Sequence, residues 1–163
     1  MIGWLRLIVF TILVPGTVAG YIPQRLIKHI DADWQNPTLK WIGLVILAAG
    51  ILIYLLCAIN FLIKGLGTPN IWFARGLKFI MGEEPKKMVS SGLYKYSRNP
   101  MYLGVLTTVL GEALFYQRTI LLHYLLFLFI LFHLVIIMIE EPHLAKKFGK
   151  DYEQYKKQTR RWF

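Results

Sequence analysis

A single cysteine, Cys57, stands inside an apolar run, so no intrachain disulfide can brace this chain and the thiol is read as a small core- or lipid-facing residue. Acidic residues are scarce: nine Asp and Glu face nineteen Lys and Arg, for a formal net charge of +10. That balance suits nucleic acid when the basic residues line one soluble face or groove. Here they flank apolar runs instead, which argues against a nucleic-acid partner. No Gly-Lys-Ser or Gly-Lys-Thr ending follows Gly65-Leu66-Gly67-Thr68-Pro69, so this stretch reads as a helix exit and turn rather than a phosphate-binding loop. The apolar runs are continuous rather than alternating, which argues against a membrane β-barrel. His123 and His133 share one apolar run and His143 follows it, but no third ligand completes a metal set.

What is present is hydrocarbon. Of the 163 residues 56% are hydrophobic and 15% aromatic, and the mean hydropathy is +0.48, too apolar for a soluble domain of this size. A helix needs about 20 apolar residues to cross a bilayer. Four runs approach that length, at residues 4–20, 39–63, 101–116 and 120–139. The first and third are short and must borrow flanking residues. Pro15-Gly16 gives the first a kink and Trp4 and Tyr21 give it interfacial flanks; its alternative reading is a cleaved signal sequence ending near Val18-Ala19-Gly20.

Charge sets the expected orientation. Residues 64–98 and 146–161 hold seven basic residues each, residues 25–40 hold three, and Arg118 alone lies between the third and fourth runs. The expectation is an all-α integral membrane protein of four spans with both termini, the middle loop and the tail in the cytoplasm. One domain, 1–163, then divides into two N-terminal spans (1–63), a cytoplasmic loop (64–100), a helical hairpin (101–141) and an amphipathic C-terminal helix (142–163). Leu144, Phe148, Tyr152, Tyr155 and Trp162 recur at helical spacing in that tail, with lysines and Arg160 on its other faces. Gly43, Ala48, Ala49 and Gly50 offer small surfaces for helix packing, leaving open whether the partner helix is in the same chain and what the oligomeric state is.

Polar residues at the ends of the hairpin carry the functional signal. Asn99-Pro100 suits a helix start, since Asn caps and Pro is tolerated at the first helical position. Pro142 cannot donate to the Met138 carbonyl, so the last run should bend as it ends and turn Glu140 and Glu141 inward. Two adjacent carboxylates facing an Arg-Asn-Pro corner imply a polar ligand between them. Glu83-Glu84-Pro85-Lys86-Lys87 reads as a solvated loop face. Glu112, inside the third run, is expected to pair with Arg118 or snorkel.

Ser91-Gly92-Leu93-Tyr94, Ser97-Arg98-Asn99-Pro100-Met101-Tyr102-Leu103-Gly104, and Glu140-Glu141-Pro142-His143-Leu144 followed by Phe148-Gly149, Tyr152, Tyr155 and Arg161-Trp162 appear in that order. Together they resemble the isoprenylcysteine carboxyl methyltransferase family in its short bacterial form, and the related phospholipid N-methyltransferases. The resemblance covers roughly residues 65–162. It implies a methyltransferase in the bacterial inner membrane that uses S-adenosylmethionine. By that resemblance Tyr94, Arg98, Asn99, Pro100, Tyr102, Glu140, Glu141 and Tyr152 would bind the cofactor. Glu141 and Arg161 would serve the reaction. Asn99 stands where many members have His, which removes a group able to titrate near neutral pH.

The chemistry is compatible with those residue types. Carboxylates and tyrosine faces suit a sulfonium and an ammonium, and an arginine suits a carboxylate. Methyl transfer is an in-line displacement that needs alignment rather than a covalent nucleophile. A carboxylate acceptor needs no base, whereas an amine acceptor needs one, for which Glu141, Glu140 and a tyrosine are candidates. The expected partners are the lipid bilayer and a lipophilic or small methyl acceptor. Two other classes stay open at this point: a membrane reductase using NADPH, and a non-enzymatic membrane scaffold.

Overall fold

Backbone groups in a run of Leu, Ile, Val and Phe have no water to bond in a lipid environment, so they bond one another as helices. The computed structural model describes residues 2–28, 33–63 and 88–162, leaving aside the side chains of residues 2–4, 6, 61 and 62. Its helices are α1 (Ile2–Leu13), α2 (Ile22–Ile27), α3 (Pro37–Ile63), α4 (Pro100–Tyr116), α5 (Thr119–Val135), α6 (Glu141–Phe148) and α7 (Lys150–Gln158). Among the described residues the only β feature is an isolated parallel bridge between Ser97 and Arg160. The turn expected at 65–69 and the charged face expected at 83–87 lie outside the described residues.

Three helical stretches are long and apolar enough to cross a membrane: Leu7–Ile27, Pro37–Asn60 and Thr119–Phe148. Large exposed side chains such as Leu52, Leu55, Phe127 and Ile130 suit a lipid surface, and the chain is an integral membrane protein. At 17 residues, α4 is about 25 Å long. It is also the innermost helix, with Val109 and Ala113 fully buried.

Glycine decides how α3 and α4 meet. A Cβ on Gly111 would lie 2.5 Å from Leu47 Cα, and one on Gly43 would lie 2.8 Å from the Leu114 carbonyl carbon. Seven residues later on α3 and seven earlier on α4, Gly50 and Gly104 repeat the arrangement against Thr108 and Tyr54. The two helices therefore touch backbone to backbone along a seam of small residues. Gly43 and Gly50 thus find their partner helix within the chain, while Ala48 and Ala49 are exposed.

The first run continues beyond residue 20. Pro15 has no N–H to offer and the helix breaks at Val14, where the Thr17 hydroxyl takes up the Leu13 carbonyl at 2.7 Å. A π turn, Thr17–Tyr21, follows and leads into α2. The Tyr124 hydroxyl donates to the Val18 carbonyl of this turn at 2.9 Å, tying it to α5.

At the tip of the α4–α5 hairpin Gln117 adopts a left-handed conformation, φ 56°, which ends α4. Its side chain accepts from Asn36 N (2.8 Å) and donates to Asn36 O (2.6 Å), docking the start of α3 on the tip. The Thr119 amide donates to the Asp33 carboxylate and holds its pKa below the usual value. Glu112 does not pair with Arg118, contrary to expectation: the break at Gln117 takes Arg118 off the helix that carries Glu112.

At the opposite end, α5 passes into a π turn, Ile136–Glu140, just before Pro142, with Glu141 N bonded to Ile136 O. The missing proline donor is accommodated by widening this turn. The tail is two helices rather than one, because Gly149 (φ 53°, ψ −124°) separates α6 from α7. Tyr152 and Tyr155 are buried against the rest of the chain, whereas Lys150, Lys156 and Lys157 are exposed.

Candidate functional site

The start of α4, the π turn before α6 and the last residues of the tail converge on one point. Pro100 is buried at the first turn of α4, where its fixed φ and missing N–H do no harm. Asn99 occupies the capping position without capping: its Nδ2 donates to the Arg161 carbonyl at 3.0 Å. Ser97 Oγ accepts from Asn99 N and donates to the same carbonyl, both at 3.2 Å, and Arg98 N donates to Arg160 O at 2.9 Å. Residues 97–99 thus strap the tail at 160–161 by its main chain.

That strap brings three charged side chains together. Arg161 donates from Nε to Glu141 Oε1 at 2.7 Å and from Nη2 to Oε2 at 3.1 Å, a bidentate pair. Arg98 Nη2 lies 3.1 Å from Glu141 Oε1, with side-chain exposures of only 9% for Arg98 and 10% for Glu141. Both Glu141 oxygens are therefore committed to guanidinium groups. Arg98 Nε and Nη1 are buried and, among the described residues, have no hydrogen-bond partner. Buried donors left unpaired cost about 1–3 kcal/mol each, more when charged. The arrangement is short of an acceptor, and an anion such as a carboxylate supplies charge-assisted acceptors for these N–H groups.

The second carboxylate is held differently. The Tyr102 hydroxyl donates to Glu140 Oε1, and the Phe132 ring packs at 4.7 Å from the Tyr102 ring. Tyr94 lies behind, buried against Cys57, Leu93 and Met101. Its hydroxyl pKa is pushed well up, first by burial and then by neighbouring groups that include Glu140 and Tyr102. Tyr155 donates to the Tyr94 carbonyl at 2.7 Å. Tyr152 is buried beside Glu141, and burial followed by that negative charge pushes its hydroxyl up to about 12. Hydrogen bonding to Glu141 raises the Arg161 pKa.

Arg98, Asn99, Pro100, Tyr102, Glu140, Glu141 and Arg161, singled out in the sequence, thus meet at one site, and Tyr94 and Tyr152 adjoin it through Tyr155. Sequence reasoning gave no role to Ser97, which pins the strap, or to the pairing of His133 with Trp162. Trp162 Nε1 donates to His133 Nδ1 at 3.1 Å, and its indole packs near Phe129. No spacing rule links residues 29 apart on different elements.

A family model described as phospholipid methyltransferase matches residues 40–151 of the chain. The matched stretch contains Tyr94, Arg98, Asn99, Pro100, Tyr102, Glu140 and Glu141, and stops short of Tyr152 and Arg161. No curated protein and no solved structure gives a significant match.

Proposed function

The chain belongs to the phospholipid methyltransferase family, and from that premise we propose that it transfers a methyl group from S-adenosylmethionine to a lipophilic or small acceptor in the membrane. The observation that carries the proposal is Arg98, its side chain nine-tenths buried, fixed on one side by Glu141, and left among the described residues with two unpaired donor nitrogens for an anion. The residues fit the cofactor: Arg98 takes its carboxylate, while Glu140 and the Tyr102 ring face its cationic groups. Bound there, S-adenosylmethionine supplies an electrophilic methyl group on a sulfonium sulfur.

The chain's own residues do the positioning. Glu141 holds the guanidinium groups of Arg98 and Arg161 and acts through them as a positioning residue. Arg161 closes the site from the tail, held by Ser97 and Asn99 through its carbonyl. Tyr94, Pro100 and Tyr152 form the walls. An acceptor carboxylate attacks without losing a proton. An acceptor amine must give one up, and Glu140 serves as the base, since Glu141 is already engaged.

In this reading the chain is a single domain and α4 is a fourth, short span enclosed by the others. Both termini face the cytoplasm of a bacterial inner membrane, and α6 and α7 lie at its surface with their lysines toward anionic lipid. The test is methyl transfer from radiolabelled S-adenosylmethionine to total membrane lipids and prenylated-cysteine analogues by the protein in nanodiscs. Label released as volatile methanol in alkali identifies a methyl ester, and alkali-stable label identifies an N-methyl product. Failure to label any lipid or analogue, by protein shown to be folded, would contradict the proposal.

A further inference from the structure

One buried ionisable group takes no part in this site. Glu112 is 6% exposed, and among the described residues its Oε2 has no hydrogen-bond partner and it joins no ion pair. It lies on α4 ten residues beyond Tyr102, about 15 Å along the helix axis. An ionisable side chain at membrane depth is costly unless something occupies it.

Its surroundings define what that is. Glu112 stands five residues before Gln117 and Tyr124 five after Thr119, so the two are level on the antiparallel hairpin, about 7 Å in from its tip. The Glu112 carboxyl is within electrostatic reach of the Tyr124 hydroxyl. That hydroxyl has given its hydrogen to Val18 O, so its oxygen has only lone pairs left to offer. Val18 itself belongs to the π turn Thr17–Tyr21, a kind of irregularity that is frequent at functional sites. Tyr116, one turn further along α4, accepts from Gln24 at 2.9 Å and keeps its own hydrogen. Among the described residues no hydrogen bond is donated to Glu112 Oε2, and the Tyr124 oxygen keeps its lone pairs.

We propose that Glu112, Tyr124 and the π turn at Thr17–Tyr21 form a second binding site, for the primary ammonium group of an amphiphile. The N–H groups of an ammonium would meet Glu112 Oε2 and the Tyr124 oxygen. A hard metal cation takes about six or more oxygen ligands, more than these residues provide. Val109, Ala113 and Leu121, on the same stretch of the hairpin, are fully buried and apolar, so the ligand needs an apolar tail to reach this depth. This inference stands apart from the methyl-transfer reading, which uses the other end of α4.

Thermal unfolding of the full chain in phosphatidylcholine nanodiscs tests it, with decylammonium as probe and decanol, decyltrimethylammonium and sodium chloride as comparators. Decylammonium should raise the unfolding midpoint of the wild type saturably, and its apparent affinity should be about tenfold or more weaker in Glu112→Gln. Decyltrimethylammonium has no N–H and should give no saturable shift in the wild type, a comparison that remains decisive if the variant does not fold. Equal shifts from the primary and quaternary amines, or an unchanged response in folded Glu112→Gln, would overturn the proposal. A shift from sodium alone would replace the amine with an inorganic cation and overturn it too.

Discussion

Gly111→Ala puts a methyl group where α3 passes closest to α4. The new Cβ would stand 2.5 Å from Leu47 Cα and 2.6 Å from Leu47 Cβ, whereas ordinary contact begins at 3.4 Å. The helices must part by nearly an ångström, and backbone rather than a flexible side chain is what must move. Overpacking of a tight interface costs about 1–3 kcal/mol. Because the same seam holds Gly50 against Gly104, parting at Gly111 also loosens the contacts near the start of α4, which carries Tyr102. For a chain of this size the expected loss is roughly 2–4 °C in unfolding midpoint per kcal/mol. Thermal unfolding in nanodiscs should rank Gly111→Ala well below Gly20→Ala, whose Cβ meets nothing within 4 Å. Equal midpoints for the two variants would refute the backbone-contact account of the α3–α4 seam.

Three other outcomes follow from the site and its supports. Gly149→Ala has open space around its Cβ, yet φ 53° and ψ −124° strain any side chain, so it should lose about 1–3 kcal/mol in unfolding experiments. Tyr155→Phe removes the donor to the Tyr94 carbonyl and should cost about 1–3 kcal/mol in the same assay, through the carbonyl left unpaired. The Tyr152 hydroxyl, raised from 10.0 to about 12 in the folded chain, favours folding fully below pH 10. That contribution is lost as pH rises from 10 toward 12. Midpoints measured across this window should fall less steeply in Tyr152→Phe than in the wild type.

The sequence made the long helices legible because lipid imposes one solution on an apolar run, and Asn99-Pro100 marked the start of α4. The path of the first run was not legible. Its continuation into α2 depends on a π turn held by Tyr124, a residue 106 positions away from Val18. The candidate site was readable as residue types, but its wiring was not. The strap is a main-chain pairing of 97–99 with 160–161, and main-chain pairing leaves no side-chain pattern. Glu112 was misassigned because a position beyond a helix end was treated as a neighbour, whereas Gln117 turns the chain away first.

Calorimetric titration of S-adenosylmethionine and S-adenosylhomocysteine into detergent-purified protein, with Glu141→Gln alongside and NADPH as rival ligand, tests the central reading most directly. Saturable binding of both sulfur compounds, about tenfold or more weaker once Glu141 no longer holds Arg98 and Arg161, is the predicted result. NADPH should neither bind nor compete. Folded protein that ignores both sulfur compounds, or that binds NADPH in their place, would contradict the account.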